Sequence, residues 1–245
     1  MKRFWTGLLS CMTIIVLTTF LPAAAAANAI PANCGAWNIV SSWDVGAASF
    51  LDAVTTVSAN DVWAVGAYGN SEELLDRTLI EQWDGMTWNL VPSPNVPNAL
   101  DDQLYAVGAV SANDAWAVGE SDNSNSDNHN ILTEHWDGNT WSIIASPTGN
   151  RVVYGVAAIS TSNVWAVGAT VNQTTGHGKS LIMQWNGTSW SIVPSPNITR
   201  NGSSANQLDG VTVSGPTTLW AAGTFENFGH GNRGLSTLTL HTTKG

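Results

Sequence analysis

The chain has 245 residues, of which 13 are tryptophan and only 11% are charged. This composition argues against an intrinsically disordered chain, which needs many charges and few aromatic residues. The 18 acidic and 8 basic residues give a net charge of −10. Nucleic acid and anionic membrane surfaces both require a positive protein surface, so neither is an expected partner.

Residues 1–29 have the features of a secretory signal peptide. Lys2 and Arg3 precede an apolar run, and small residues with cleavage-site spacing follow it. The run falls short of the ~20 apolar residues of a membrane-spanning helix. The sequence therefore predicts a protein that is secreted or held at the cell surface, with residues 30–245 as one domain that has no membrane span. Cys34 is then the only cysteine, so no internal disulfide is expected.

The first predicted strand is AWNIVSS, at 36–42, which matches TWNLVPS at 87–93 and SWSIVPS at 189–195. After it, a unit of about 50 residues occurs four times, the period of propeller blades. VWAVG or a close variant marks the units at Trp63, Trp116, Trp165 and Trp220. The units cover approximately 50–93, 103–146, 152–195 and 207–241.

Each unit predicts a series of short strands. In the second unit these are 104–111, 115–119, 130–136 and 140–146, and Asp-Gly supplies the positive φ of the last hairpin. The fourth unit stops after three strands, and residues 36–42 resemble the missing one. We therefore expect an all-β, four-bladed β-propeller whose ring is closed by residues 36–42 within one monomeric chain. The alternative is a larger ring completed by a second copy.

The loops of the predicted propeller differ between its two faces. Loops between the second and third strands, and between units, vary in length and composition, whereas the other loops are nearly uniform. Loops on a rigid scaffold commonly carry function. A binding site is therefore expected on the variable face, and solvated loops without a ligand are the alternative.

The repeats resemble secreted bacterial propeller repeats of the kelch-like kind, and their DGMTW and DGNTW turns resemble the Asp-box hairpins of sialidase-type propellers. LIEQWDGMTW (79–88) and LTEHWDGNTW (132–141) are also similar to the blades of fucose-binding lectins. That resemblance implies sugar contacts by Glu81 with Trp83 and by Glu134 with Trp136.

Other candidate ligand-binding residues share one position of the first strand: Asp52, Tyr105, Tyr154 and Asp209. They would line a pocket near the propeller axis, or form hydrogen bonds in the core. In the loop at 121–130, Asp122 and Asp127 lie among Asn and Ser residues and offer the oxygen ligands that Ca²⁺ prefers. The alternative there is a polar loop without metal, and no other cofactor is expected.

The sequence contains no nucleophile elbow, zinc-protease motif or phosphate-binding loop, and no catalytic residue is predicted. We expect a non-catalytic protein that binds extracellular glycan or protein through the variable face. One alternative is a sialidase-like or other glycosidase that uses Asp52 and Asp209 as its two carboxylates. Another is a structural or adhesive surface scaffold.

Overall fold

The computed structural model describes residues 36–70, 75–123, 129–172, 178–199, 204–215, 218–227 and 234–243. Contacts divide the chain into two units, residues 1–39 and residues 40–245. The described residues contain strands and no helix, so none of them forms a helix able to cross a membrane. The strands are β1 (Ala48–Ser58), β2 (Asp61–Asn70), β3 (Leu75–Trp83), β4 (Trp88–Leu90), β5 (Asp101–Ser111), β6 (Asp114–Asp122), β7 (His129–Trp136), β8 (Trp141–Ile143), β9 (Arg151–Ser160), β10 (Asn163–Thr170), β11 (Ser180–Trp185), β12 (Trp190–Val193), β13 (Ser204–Gly215), β14 (Thr218–Asn227) and β15 (Gly234–Thr243).

These strands form four antiparallel sheets in which strands adjacent in sequence pair with each other. The first sheet has the order β1-β2-β3-β4, the second β5-β6-β7-β8, the third β9-β10-β11-β12 and the fourth β13-β14-β15. The predictions of an all-β chain and of four repeated sheets are confirmed.

The hairpin that ends each four-stranded sheet has the chemistry that its sequence predicts. Gly85 has a φ of +97°, which favours glycine over residues with a side chain. The Asp84 carboxylate accepts hydrogen bonds from the backbone N–H groups of Met86 and Thr87, both at 2.8 Å. The bond from Thr87, with that from Met86, holds the pKa of Asp84 at about 2. Asn186 accepts the equivalent bonds in the third sheet, so an amide oxygen serves this turn as well.

Tryptophan rings fill the interface between the first and second sheets. The ring centroid of Trp63 lies 5.1 Å from that of Trp136 and 5.3 Å from that of Trp141, and the second pair meets edge to face at 85°. Trp63 is completely buried. Truncating a buried ring of this size costs about 3–5 kcal/mol, so this cluster contributes much of the energy that joins the two sheets.

The second and third sheets are joined in the same way. The centroid of Trp116 lies 4.9 Å from Trp185 and 5.3 Å from Trp190, the latter at 89°. The interface between the third and fourth sheets is different, because a cavity of about 280 Å³ borders Trp165 there. Smaller apolar residues, among them Leu240, line most of the rest of that cavity, together with His241 and Thr242.

The predicted closing strand is not formed. Residues 36–42 carry no strand, and the described part of the fourth sheet has three strands. Trp37 and Ile39 are fully exposed. An extended segment becomes a strand only when a neighbour pairs with its N–H and C=O groups, and none of the described strands pairs with this one. Closure of the ring is therefore not shown.

Candidate functional site

The four residues predicted near the axis lie at β-bulges. In each sheet, the pairing between the first and second strands skips one residue near the start of the first strand. A bulge leaves its extra residue outside the ladder and changes the direction of its side chain. The skipped residues are Asp52, Tyr105, Tyr154 and Asp209.

A glycine on the second strand makes each bulge possible. These glycines come from the VWAVG motif and are Gly66, Gly119, Gly168 and Gly223. A β-carbon at Gly119 would overlap the backbone carbonyl oxygen of Gln103 and lie 2.8 Å from Cα of Leu104. The other three glycines face the equivalent backbone atoms of their own sheets. The motif therefore marks a close approach of two backbones as well as a strand.

The two bulged tyrosines lie side by side. The ring centroids of Tyr105 and Tyr154 are 5.6 Å apart, with an angle of 41° between the ring planes. The hydroxyl group of Tyr105 donates a hydrogen bond of 2.5 Å to Oε1 of Glu120. The other carboxylate oxygen of Glu120 lies 2.9 Å from Nδ1 of His129. All four side chains are half-buried, so the pair of rings is fixed in place and still reaches solvent.

The two bulged aspartates lie on either side of these tyrosines in sheet order. Oδ2 of Asp52 accepts a hydrogen bond of 3.0 Å from the side-chain amide of Gln103. Oδ1 of Asp209 accepts one of 2.6 Å from the amide of Gln207. Both carboxylates are exposed, and a carboxylate with one amide partner keeps further acceptor positions. We call the eight residues the bulge site: Asp52, Gln103, Tyr105, Glu120, His129, Tyr154, Gln207 and Asp209.

Burial, together with the nearby negative charges, keeps the two tyrosines of the site protonated by raising their pKa. Burial raises the pKa of Tyr105, and the hydrogen bond to Glu120 raises it further. Burial also raises the pKa of Tyr154, together with the negative charges of Glu120 and Asp209. Both phenol groups are therefore neutral hydrogen-bonding groups at any physiological pH.

The bulge site lies at the strand ends that carry the variable loops. Tyr105 is near the start of β5, Glu120 is near the end of β6, and His129 is the first residue of β7. Glu120 was not among the sequence-predicted residues. Glu120 directly follows the repeated VWAVG motif, and the other units have Ala67, Ala169 and Thr224 at this position. This departure from the repeat was the signal in the sequence that could have identified Glu120 as a site residue.

Of the candidate residues taken from the lectin resemblance, Glu134 and Trp136 lie between the first and second sheets, whereas Glu81 and Trp83 lie on β3 of the first sheet, on the side reached by Trp43. Glu81 and Glu134 are completely buried. Trp136 packs against Trp63, and Trp83 packs against Trp88 at 5.8 Å. Burial raises the pKa of both carboxyl groups, that of Glu134 strongly. A ligand would reach Glu134 only if the first and second sheets separated, and the backbone N–H of Trp43 already donates a hydrogen bond to Oε1 of Glu81.

The predicted calcium site falls only partly within the structure. Asp122 ends β6 and is paired with His129 in the ladder, whereas Asp127 lies outside the described residues. Within the described ranges, no three His, Cys, Asp or Glu side chains come together as metal ligands. The calcium site stays a prediction.

Comparison with known proteins gives structural similarities alone. No family model matches the chain, and no curated protein sequence matches it. YCF48 from Cyanidioschyzon merolae is 13% identical over 70% of this chain, with a TM-score of 0.43. This chain spans about half of that protein, 47% of its length.

Two arabinanases are similar over a larger share of the chain. The native arabinanase Arb43A of Bacillus subtilis is 12% identical, covers 78% of this chain and 71% of its own, and has a TM-score of 0.45. The GH43 endo-arabinanase from Bacillus licheniformis gives the same values. At these identities and scores no residue role passes to this chain, and the kelch-like and lectin resemblances stay predictions.

Proposed function

We propose that this protein is a secreted, non-catalytic binding protein that takes a neutral glycan at the bulge site. The observation that carries the proposal is the half-buried pair of Tyr105 and Tyr154 with carboxylates beside it. Ligand sites typically combine aromatic surface with a few fixed polar groups. The two rings supply the aromatic surface, and the carboxylate and amide groups supply the polar contacts.

The polar groups suit the hydroxyl groups of a sugar. Asp52 and Asp209 accept hydrogen bonds, and the amides of Gln103 and Gln207 fix their orientation. The protein carries a net charge of −10, which disfavours an acidic glycan. A neutral glycan is therefore the preferred ligand class, and an extracellular protein is the alternative partner.

We also propose that the four sheets are blades of a β-propeller, in which a strand with the sequence of residues 36–42 completes the fourth blade. Support comes from the repeated strand order and from the indole clusters that join successive sheets. In such a ring the bulges face one axis, so the residues of the bulge site border a common pocket.

The test is glycan-array binding by residues 30–245, with and without EDTA. We expect selective binding of neutral glycans that falls about tenfold in Tyr154→Ala, the effect of losing one aromatic contact. Met86→Ala is the control, because Met86 is an exposed side chain in a hairpin of the uniform loops. Sensitivity to EDTA would support the proposed calcium ligands Asp122 and Asp127.

Three outcomes would contradict the proposal. A blank array would eliminate the glycan and direct the search to a protein partner. Turnover of a glycoside that is lost in Asp52→Asn or Asp209→Asn would identify the protein as a glycosidase. Equal loss of binding in Tyr154→Ala and Met86→Ala would move the site away from the bulges.

A further inference from the structure

The first and fourth sheets each carry tryptophans whose equivalents, in the inner interfaces, form an indole cluster between two sheets. Inside the row of sheets, one tryptophan on the second strand meets two tryptophans from the last hairpin of the next sheet. Trp220 is the equivalent residue of the fourth sheet, and it is 46% exposed, whereas Trp63 is 0% and Trp116 is 1% exposed. The fourth sheet therefore presents one ring that lacks its usual two partners.

The first sheet presents the complementary half. Trp83 and Trp88 have ring centroids 5.8 Å apart, nearly the 5.9 Å between Trp136 and Trp141. Ile80 packs toward the second sheet, so the alternation along β3 turns Trp83 to the opposite side. The pair therefore lies on the outer face of the first sheet.

The cavity beside Trp165 lacks a ring as well. In the other two interfaces, Trp141 and Trp190 meet the equivalent tryptophan edge to face. The described part of the fourth sheet has no fourth strand to supply such a ring, and the space of about 280 Å³ is lined mostly by apolar side chains, together with His241 and Thr242. In AWNIVSS, Trp37 holds the place that Trp88 holds in TWNLVPS. Trp37 is fully exposed.

The chain enters the first sheet from this outer face. The backbone N–H of Trp43 donates a hydrogen bond of 3.1 Å to Oε1 of Glu81, and its indole N–H donates one of 2.8 Å to the carbonyl oxygen of Trp88. Trp37 precedes β1 by about as many residues as Trp88 precedes β5. By this equivalence in sequence, residues 36–42 correspond to the last strand of a sheet that would precede the first one.

We propose that this sheet is the fourth sheet of a second copy, and that two copies exchange residues 36–42 about a two-fold axis. Contacts between the first strands join β1 to β5, β5 to β9 and β9 to β13, so the first and fourth sheets end the row. A two-fold partner covers both ends at once, and exchange of an identical element is a common route to a dimer.

In the exchanged dimer, both Trp220 and the cavity beside Trp165 gain tryptophan partners from the other copy. Trp220 of each copy packs against Trp83 and Trp88 of the other, and Trp37 of each copy enters the cavity beside Trp165 of the other. The free edge of β15 gains a strand, which removes an exposed sheet edge. This dimer takes the place of the monomeric ring that the sequence predicts.

The first test is the mass in solution of residues 30–245, measured by light scattering after size-exclusion chromatography over a dilution series. We expect twice the mass of one chain. Trp220→Ala should weaken self-association roughly 30-fold, as expected for a central aromatic residue. Ile192→Ala is the matched control, because Ile192 is 45% exposed on the third sheet. A single-chain mass at every concentration, or equal effects of the two variants, would overturn the proposal.

The second test separates exchange from closure within one chain. In the first sheet Gln82 pairs with Asn89, and the equivalent pair in the completed fourth sheet is His241 with Asn38. We therefore introduce Asn38→Cys and His241→Cys with Cys34→Ser, and oxidise the protein. A disulfide between two chains supports exchange. A disulfide within one chain, or none at all, contradicts it.

Discussion

Replacing Gly119 with alanine tests the origin of the bulges. The new β-carbon would overlap the carbonyl oxygen of Gln103 and approach Cα of Leu104. Both are backbone atoms, so no side-chain rotation relieves the clash. Overpacking in a folded interior costs about 1–3 kcal/mol, and a clash with backbone belongs at the upper end. We expect Gly119→Ala to lose about 3 kcal/mol of unfolding free energy.

Urea denaturation followed by tryptophan fluorescence measures this loss. In thermal denaturation, the melting temperature of a chain of this size shifts by roughly 2–4 °C per kcal/mol, so it should fall by about 6–12 °C. Gly210→Ala is the control, because a β-carbon at Gly210 meets no atom within 4 Å. It should be neutral or stabilising by about 0.5 kcal/mol through the unfolded state. Equal stability of Gly119→Ala and the wild type would refute the account of the bulges.

Substitutions at three further positions test the energetics of single contacts. Burial and the charge of Asp102 raise the pKa of Glu134, so the folded protein keeps a proton that the unfolded chain releases above pH 4.5. Its free energy of unfolding should therefore fall with rising pH by up to about 1 kcal/mol per pH unit, and denaturation between pH 5 and 8 should show a smaller slope in Glu134→Met. Tyr105→Phe removes the hydrogen bond to Glu120 and should cost about 1 kcal/mol in urea denaturation. Asp137→Ala should lower the melting temperature, whereas Asp137→Asn should not, because Asn186 accepts the same bonds in the third sheet.

The repeats were sufficient to predict the strand order and the hairpins. Asp-Gly and Asn-Gly turns act locally, so their sequence determines their geometry, as Asp84 and Gly85 illustrate. The common position of Tyr105 and Tyr154 was also visible in the aligned units. That this position is a bulge was not visible, because a bulge depends on the register between two strands.

The remaining site residues depend on contacts distant in sequence. Glu120 reaches Tyr105 only because β6 pairs with β5. Glu81 and Glu134 were candidate ligand contacts in the sequence, yet both are buried in the fold, Glu134 between the first two sheets and Glu81 beside the backbone of Trp43. Residues 36–42 matched a strand in pattern, but a strand also requires a partner, and the pattern does not say which chain provides it.

Because of the bulges, four side chains belong to residues that do not take part in strand pairing. Each bulged residue stands outside the ladder, so it takes no part in the residue-to-residue pairing of the two strands. The residues at these four positions are Asp, Tyr, Tyr and Asp. In the evolution of this repeat, substitutions at these four positions would change the ligand-facing side chains while the paired strands of the fold are kept. A combinatorial library confined to residues 52, 105, 154 and 209 would sample that evolutionary space directly.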